Sequence, residues 1–271
     1  MPTCPRYVSQ RGASTRTLVV SDIHGNWPAL QAVIDSTLAS VDTVIALGDL
    51  VGYGPFPAEC VRWVSENASI AIQGNHDRAY GANVAAGCRP DFRWLSDAVG
   101  PLTWSQLNDE QLAYLKNLPR WAVREIDGRK FAFVHAAPSD PLYEYIGPDP
   151  GRWAVELSGL EVDVLVVGHT HLQFSLRVAH SEVVNPGSVG QPKDGDPRAA
   201  FLLIEDGVCK LERVEYPIDE AVAALGSHDI DPDAVAVLAD LLFTGSVPRA
   251  AAESNHATSY GPKEEAPPHW K

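Results

Sequence analysis

The sequence is poor in positive charge. Its 271 residues carry 21 Lys and Arg against 35 Asp and Glu, a formal net charge of −14. Sequence-independent binding of nucleic acid needs clustered Lys and Arg to neutralise phosphates, so this balance argues against it while leaving room for a local basic pocket. Cysteine is scarce too. Cys4, Cys60, Cys88 and Cys209 form no Cys-x-x-Cys pair, which removes the zinc knuckle and the redox motif and leaves buried or stray thiols. No apolar run approaches the ~20 residues that span a bilayer. The opening Met1-Pro2-Thr3-Cys4-Pro5-Arg6 lacks the apolar stretch of a signal peptide. A cytoplasmic protein is the expectation. Apolar residues at 45% and charged residues at 21% are ordinary for a globular chain, and the length allows one large domain or two small ones.

Short β-branched runs recur from Thr17 onward: Leu18-Val19-Val20, Thr43 to Leu47, Ile70-Ala71-Ile72, Phe131 to Val134 and Val162 to Val167. Continuous apolar runs of this length suit strands covered on both faces. Between the first two, Pro28 to Asp35 has helical spacing, with Asn26 as N-cap and Pro28 in the first turn. Pro57 to Asn67 reads the same way, so the pattern predicts a βαβ sheet with right-handed crossovers. Residues 77–118 read as mainly helical and contain Phe92, Trp94 and Trp104. They are either a layer packed on the sheet or a partial lid or substrate wall. Ala199 to Tyr216 predicts an antiparallel hairpin turning at Asp206-Gly207, followed by helices near 218–226 and 231–243. A flexible arm at 1–15, a functional domain at 16–245 and a disordered tail at 246–271 complete the expected organisation.

Each apolar run is followed by chemistry. Ser21-Asp22-Ile23-His24-Gly25-Asn26 follows the first, Gly48-Asp49 the second, Gly74-Asn75-His76-Asp77 the third, His135 the fourth and Gly168-His169-Thr170-His171 the fifth. Sites in open α/β sheets form beyond the carboxyl ends of the strands, so these residues should share one rim. Five of the nine histidines lie here; His180, His228, His256 and His269 read as surface or tail residues. Asp22, His24, Asp49, Asn75, His135, His169 and His171 offer only oxygen and nitrogen donors, which suits Mn²⁺, Fe or Zn²⁺ and argues against thiolate chemistry. Seven such donors exceed one ion and fit two that share a bridging carboxylate. An extended Asp-x-His places Asp22 and His24 on one side, and the same alternation applies to His169-x-His171. Glycines beside them allow tight turns and close backbone approach.

Together these motifs resemble the calcineurin-like metallophosphoesterase family, over residues 22–171, in its small bacterial phosphodiesterase and phosphoesterase branch. Gly48-Asp49-Leu50-Val51-Gly52-Tyr53-Gly54-Pro55 and Asn185-Pro186-Gly187-Ser188-Val189-Gly190 support that branch. The resemblance implies an α/β fold, a four-layer αββα sandwich of two mixed β-sheets with the metal site at the strand C-terminal ends. The second sheet would then come from strands after His135. It also implies that Asp22, His24, Asp49 and His171 hold one metal and that Asp49, Asn75, His135 and His169 hold the other, with Asp49 as the bridge. His76 matches the family's catalytic histidine. There is one departure: the phosphoprotein phosphatases of the family carry an orienting aspartate three residues after the bridge, where this chain has Gly52. Asp77 reads only as a helix N-terminal acid. Tyr53, Tyr143 and Tyr145 are candidate substrate contacts, and Arg78 is a candidate phosphate contact.

The activity so implied is hydrolysis of phosphate esters, phosphodiesters foremost. It depends on two divalent ions, with Mn²⁺ preferred and Fe or Zn²⁺ as alternatives. A metal-bridging hydroxide would attack in line while His76 assists the leaving group. The alternatives are a phosphomonoesterase, a dinucleoside polyphosphate hydrolase and, in another class, a metal-binding scaffold module with little catalysis. The expected partner is a small phosphate ester, with nucleotides among the candidates; membranes are excluded and nucleic acid is disfavoured.

Overall fold

The first strand, β1 (Arg16–Val20), shows how the layers arise. Leu18 and Val20 point to one side, into a core with Leu30, Val33, Ile34, Val61 and Val64. Val19 points to the other, into a core with Phe131, Phe133, Val164 and Val166. A strand buried on both faces must be covered twice, and here helices cover one face and a second sheet covers the other. The computed structural model describes residues 15–248. The expected arm and tail therefore lie outside the described residues, apart from Thr15 and positions 246–248.

β1 leads through α1 (Trp27–Thr37) to β2 (Thr43–Ala46), then through α2 (Pro57–Asn67) to the two-residue β3 (Ile70–Ala71). Both crossovers join parallel strands. Asn26 caps α1 as its sequence indicates, its side-chain oxygen accepting from Ala29 N at 3.2 Å. Three helices fill the next stretch: α3 (Asn75–Ala82), α4 (Pro90–Gln106) and α5 (Asp109–Asn117). β4 (Trp121–Ile126) and β5 (Arg129–Val134) follow, then α6 (Pro150–Glu156), β6 (Val164–Val166), β7 (Gln173–Val178) and β8 (Ser181–Pro186). The chain closes with β9 (Ala199–Glu205), β10 (Val208–Val214), α7 (Ile218–Gly226) and α8 (Pro232–Thr244).

Two five-stranded mixed sheets result, in the orders β10-β9-β1-β2-β3 and β4-β5-β6-β8-β7. Helices flank them: α1 and α2 pack on the first sheet and α6, through Trp153 and Leu157, on the second. This is the expected α/β sandwich, with two differences in how it is built. The Phe131 and Val162 runs do not extend the first sheet; they form β5 and β6 of the second. The second sheet also begins before His135, at β4, while the hairpin after Ala199 returns to the first sheet beside β1. Apolar periodicity reports that a strand is buried on two faces, not which strand it pairs with.

The 77–118 stretch divides its packing. α5 places Leu115 in the core beneath the first sheet, whereas α4 packs Phe92, Leu95 and Val99 against α7 and α8. The described cysteines, Cys60, Cys88 and Cys209, are free, and His180 and His228 are exposed. Among the described residues no helix is long and apolar enough to cross a membrane.

Candidate metal centre

The carboxyl ends of β1, β2 and β3 deliver Asp22, His24, Asp49, Asn75 and His76. The ends of β5 and β6 deliver His135, His169 and His171. Residues up to 149 positions apart thus meet at one rim shared by both sheets, and all eight side chains are buried. Among the described residues three tight groups form there: Asp22 with His24 and His171, Asp49 with His135 and His169, and, joining these two clusters, His24 with Asp49 and His76. Within each, the potential ligand atoms lie within 4.8 Å of one another.

Asp49 stands between the clusters. Its Oδ2 is 3.7 Å from His24 Nε2 and 3.4 Å from His135 Nε2. Its other oxygen is taken by the His76 backbone N–H at 2.9 Å. Asn75 is oriented from behind: its amide nitrogen donates to the Ala86 carbonyl at 2.8 Å, which turns its oxygen toward His135 Nε2, 3.3 Å away.

Backbone carbonyls set three of the imidazoles. His24 Nδ1 donates to Val51 O at 3.1 Å, His135 Nδ1 to Leu47 O at 2.8 Å and His171 Nδ1 to Gln191 O at 2.5 Å. A ring that donates through Nδ1 turns its Nε2 to the cluster, the arrangement that fixes metal-ligating histidines. The two Nε2 atoms of His24 and His171 face each other at 3.1 Å. Asp22 Oδ1 and His169 Nε2 are buried without any hydrogen-bond partner. Opposed lone pairs and orphaned donor atoms in a set of nitrogen and oxygen ligands fit divalent cations between them.

The local backbone differs from the extended Asp-x-His expected from the sequence. Asp22 and His24 have φ of 52° and 48°, and His169 and His171 have 64° and 59°. All four are left-handed. In each pair both side chains still face the centre, but they do so because the chain coils back at the strand end rather than by strand alternation. Asp49, at φ 53°, does the same.

Charge is heavily perturbed here. Burial works to raise Asp22 and Asp49, yet the surrounding histidines outweigh it and hold both carboxyls well below the usual range, His171 acting on Asp22 and His135 on Asp49. Burial likewise lowers His135, but Asp49 and Asp22 overcome it and lift this imidazole to about 9. Burial pushes His24 and His169 well down. It brings His76 to about 4, so that imidazole is neutral at pH 7. Its Nδ1 has no partner. A Cβ at residue 52 would come within 2.7 Å of that nitrogen, so the position that carries an aspartate in the phosphoprotein phosphatases is sterically closed here. Ring packing on Tyr53 and His24, with centroids at 4.8 and 5.1 Å, holds His76 instead.

Several contributors lay beyond the sequence reading. Asp77 does more than favour a helix start. Its Oδ2 accepts from Asp49 N and Gly74 N, at 2.8 and 2.9 Å, and its Oδ1 from Leu50 N at 2.8 Å, pinning the loop that carries Asp49. Burial and the Asp49 carboxylate raise it to about 7. In the Asn185–Gly190 motif, Asn185 donates to Gly168 O and Ser188 to Asp22 O, at 2.8 and 2.7 Å, tying the two histidine-bearing and aspartate-bearing turns together. Of the candidate substrate contacts, Tyr53 and Tyr145 line the centre, Tyr145 with its ring centroid 3.9 Å from that of His169. Tyr143 instead receives the Arg78 guanidinium at 2.9 Å.

The model of the calcineurin-like phosphoesterase superfamily domain matches residues 16–207. The chain belongs to this superfamily. It falls in the small phosphoesterase branch. An uncharacterized protein of Methanocaldococcus jannaschii is 34% identical over 224 residues, 75% of this chain and 88% of that one. The crystal structure of a metallophosphoesterase from Sphaerobacter thermophilus is 31% identical, has a TM-score of 0.71, and matches 86% of this chain and 99% of its own. Phosphodiesterase YfcE of Escherichia coli is 25% identical over 203 residues, 70% of this chain and 88% of that one. Membership of the superfamily and the two ligand clusters agree in supporting a two-metal centre of hydrolytic type.

Proposed function

We propose that this phosphoesterase hydrolyses phosphodiesters at a pair of divalent metal ions, and that it acts in the cytoplasm on small phosphate esters. The observation that carries the reading is the position of Asp49 Oδ2, between His24 Nε2 and His135 Nε2. One carboxylate oxygen that faces two sets of ligands is what a bridged pair requires. Asp22, His24, Asp49 and His171 would hold one ion, and Asp49, Asn75, His135 and His169 the other. Mn²⁺ is the preferred occupant, with Fe and Zn²⁺ as alternatives for the same donor atoms. When bound, the pair supplies positive charge to the phosphate oxygens and water acidified to near neutrality.

The protein's own groups do the rest. Three backbone carbonyls keep the histidine Nε2 atoms aimed inward. Asp77 holds the Asp49 loop. With its Nδ1 against Gly52, His76 carries its hydrogen on Nε2 and donates a hydrogen bond to the charge developing on the leaving oxygen. A diester rather than a monoester is favoured by the likeness to a relative named as a phosphodiesterase.

The test is turnover of bis(p-nitrophenyl) phosphate beside p-nitrophenyl phosphate by the Mn²⁺-loaded chain. Diester turnover should exceed monoester turnover. It should fall at least ~10²-fold in Asp49→Asn, and by about 10²-fold in His76→Ala with metal content retained. Faster monoester turnover would make the protein a phosphomonoesterase. No turnover of either ester with Mn²⁺, Fe²⁺ or Zn²⁺, despite two bound ions, would sink the esterase reading and leave a metal-binding scaffold.

A further inference from the structure

Lys193 stands out in an acidic protein. It follows Gly190-Gln191-Pro192, and its backbone N–H donates to the carbonyl of His171 at 3.2 Å, which fixes the residue at the edge of the metal centre. Its side chain is half-buried. The ammonium lies over the face of Phe92, 4.1 Å from the ring centroid. That ring meets Tyr53 edge-on at 6.3 Å, and Tyr53 lies 4.8 Å from His76. The route Lys193, Phe92, Tyr53, His76 thus runs along one wall of the site.

No carboxylate among the described residues comes within 4 Å of this ammonium. The carboxylates that act on it from further off are Asp22 and Asp49 of the centre itself, while Asp194 and Asp196, close in sequence, pair with Arg213 and Arg198. An aromatic face can hold a cation in place without neutralising it; burial lowers the ammonium to about 8, which still leaves it charged for a ligand at pH 7. That charge reaches inward, where it acts on His76 and His171. Lys193 therefore flanks the centre on the side of Tyr53 and His76, the His76 position being the one assigned to the leaving group.

We propose that Lys193, held by Phe92, binds a second phosphate on the leaving-group side, so that the site selects esters or anhydrides whose leaving group is itself phosphorylated. This rests on the phosphoesterase reading above and narrows its substrate class. In such a reaction a water oxygen forms a bond to phosphorus and the P–O bond to the leaving group breaks. The leaving oxygen departs with the electron pair, as a phosphate oxygen from an anhydride or, from an ester, as an alcohol oxygen that takes up one proton, and the remaining water proton passes to solvent. Lys193 lowers the cost of gathering the two phosphates and steadies the departing one; it makes no bond.

The probe is inorganic pyrophosphate against inorganic phosphate, titrated calorimetrically into protein loaded with two Mn²⁺ and freed of excess metal. The wild-type chain should bind pyrophosphate at least tenfold more tightly than phosphate. In Lys193→Gln that ratio should fall at least tenfold, and Lys193→Arg should restore most of it. Phe92→Leu, which removes the aromatic face but keeps the apolar contact, should lower the ratio by a smaller factor. Metal content and the melting temperature of each variant verify that the site is intact. A wild-type ratio near one, or a ratio unmoved by Lys193→Gln, would overturn the second-phosphate subsite. Binding equilibria answer this question even if neither nitrophenyl ester is turned over, so the subsite and the esterase reading fail by different results.

Discussion

An aspartate or histidine at positive φ costs about 1 kcal/mol relative to an ordinary backbone. Asp22, His24, Asp49, His169 and His171 all adopt it. Such a cluster persists only where surrounding contacts over-determine it, and Asp77 is the clearest of these. Its carboxylate satisfies three buried backbone N–H groups. Asp77→Ala should therefore destabilise the chain by at least about 3 kcal/mol in urea denaturation and weaken metal retention, because buried donors are left without partners. The donors themselves were legible in the sequence, since each follows an apolar run. Their left-handed backbone was not, because residue type and spacing say nothing about φ when Asp and His tolerate both conformations. Asp77 was misread for a related reason: its partners Asp49 and Leu50 lie 28 and 27 positions away, beyond any local pattern.

At the level of elements, local signals and structure agree closely. Asn26 and Pro28 start α1 where the capping pattern puts it, and α2 spans Pro57–Asn67 as read. The hairpin turns at Asp206 and Gly207, with φ of 52° and 71°, the two left-handed residues that this tight connection needs. Gly207→Ala should cost about 1 kcal/mol in thermal or urea unfolding. It should leave metal stoichiometry unchanged, since the turn lies at the opposite end of β9 from Ser188 and the Asp22 turn. What the sequence left open was partnership. Phe131 and Phe133 are fully buried because they face Val19 and Ile45 across two sheets. Pairing between distant strands is encoded in no window of the chain. For the same reason the role of Phe92 became visible only once α4 was seen beside both Tyr53 and Lys193.

For the molecule as a whole, the centre couples metal, protons and stability. His135 titrates near 9 in the metal-free protein, and an ion needs its Nε2 lone pair. Below that pH a proton must leave before metal binds. Mn²⁺ affinity should therefore rise about tenfold per pH unit between 6.5 and 8.5, as measured by competition with a chelator. The same shift has a defined sign for folding. A histidine raised above its unfolded pKa stabilises the metal-free chain below about 6.5, and that contribution fades as pH rises through 9. Metal binding acts in the opposite sense. At a hundredfold excess over Kd each ion adds about 2.7 kcal/mol, which corresponds to roughly 5–10 °C in Tm for a chain of this size. The gap in Tm between loaded and EDTA-treated protein should thus widen from pH 6.5 to 8.5. A gap that is constant or narrows would contradict the proton competition.

The placement of β9 beside β1 has a consequence for biosynthesis. Among the described strands β1 is the first to leave the ribosome, yet it occupies the middle of its sheet, and one of its two neighbours arrives only with residues 199–205. Until then the Arg16–Val20 edge has no lasting partner on that side. The nascent chain must hold an open, strongly apolar strand edge until β9 has been made, which favours late, near-complete closure over stepwise folding.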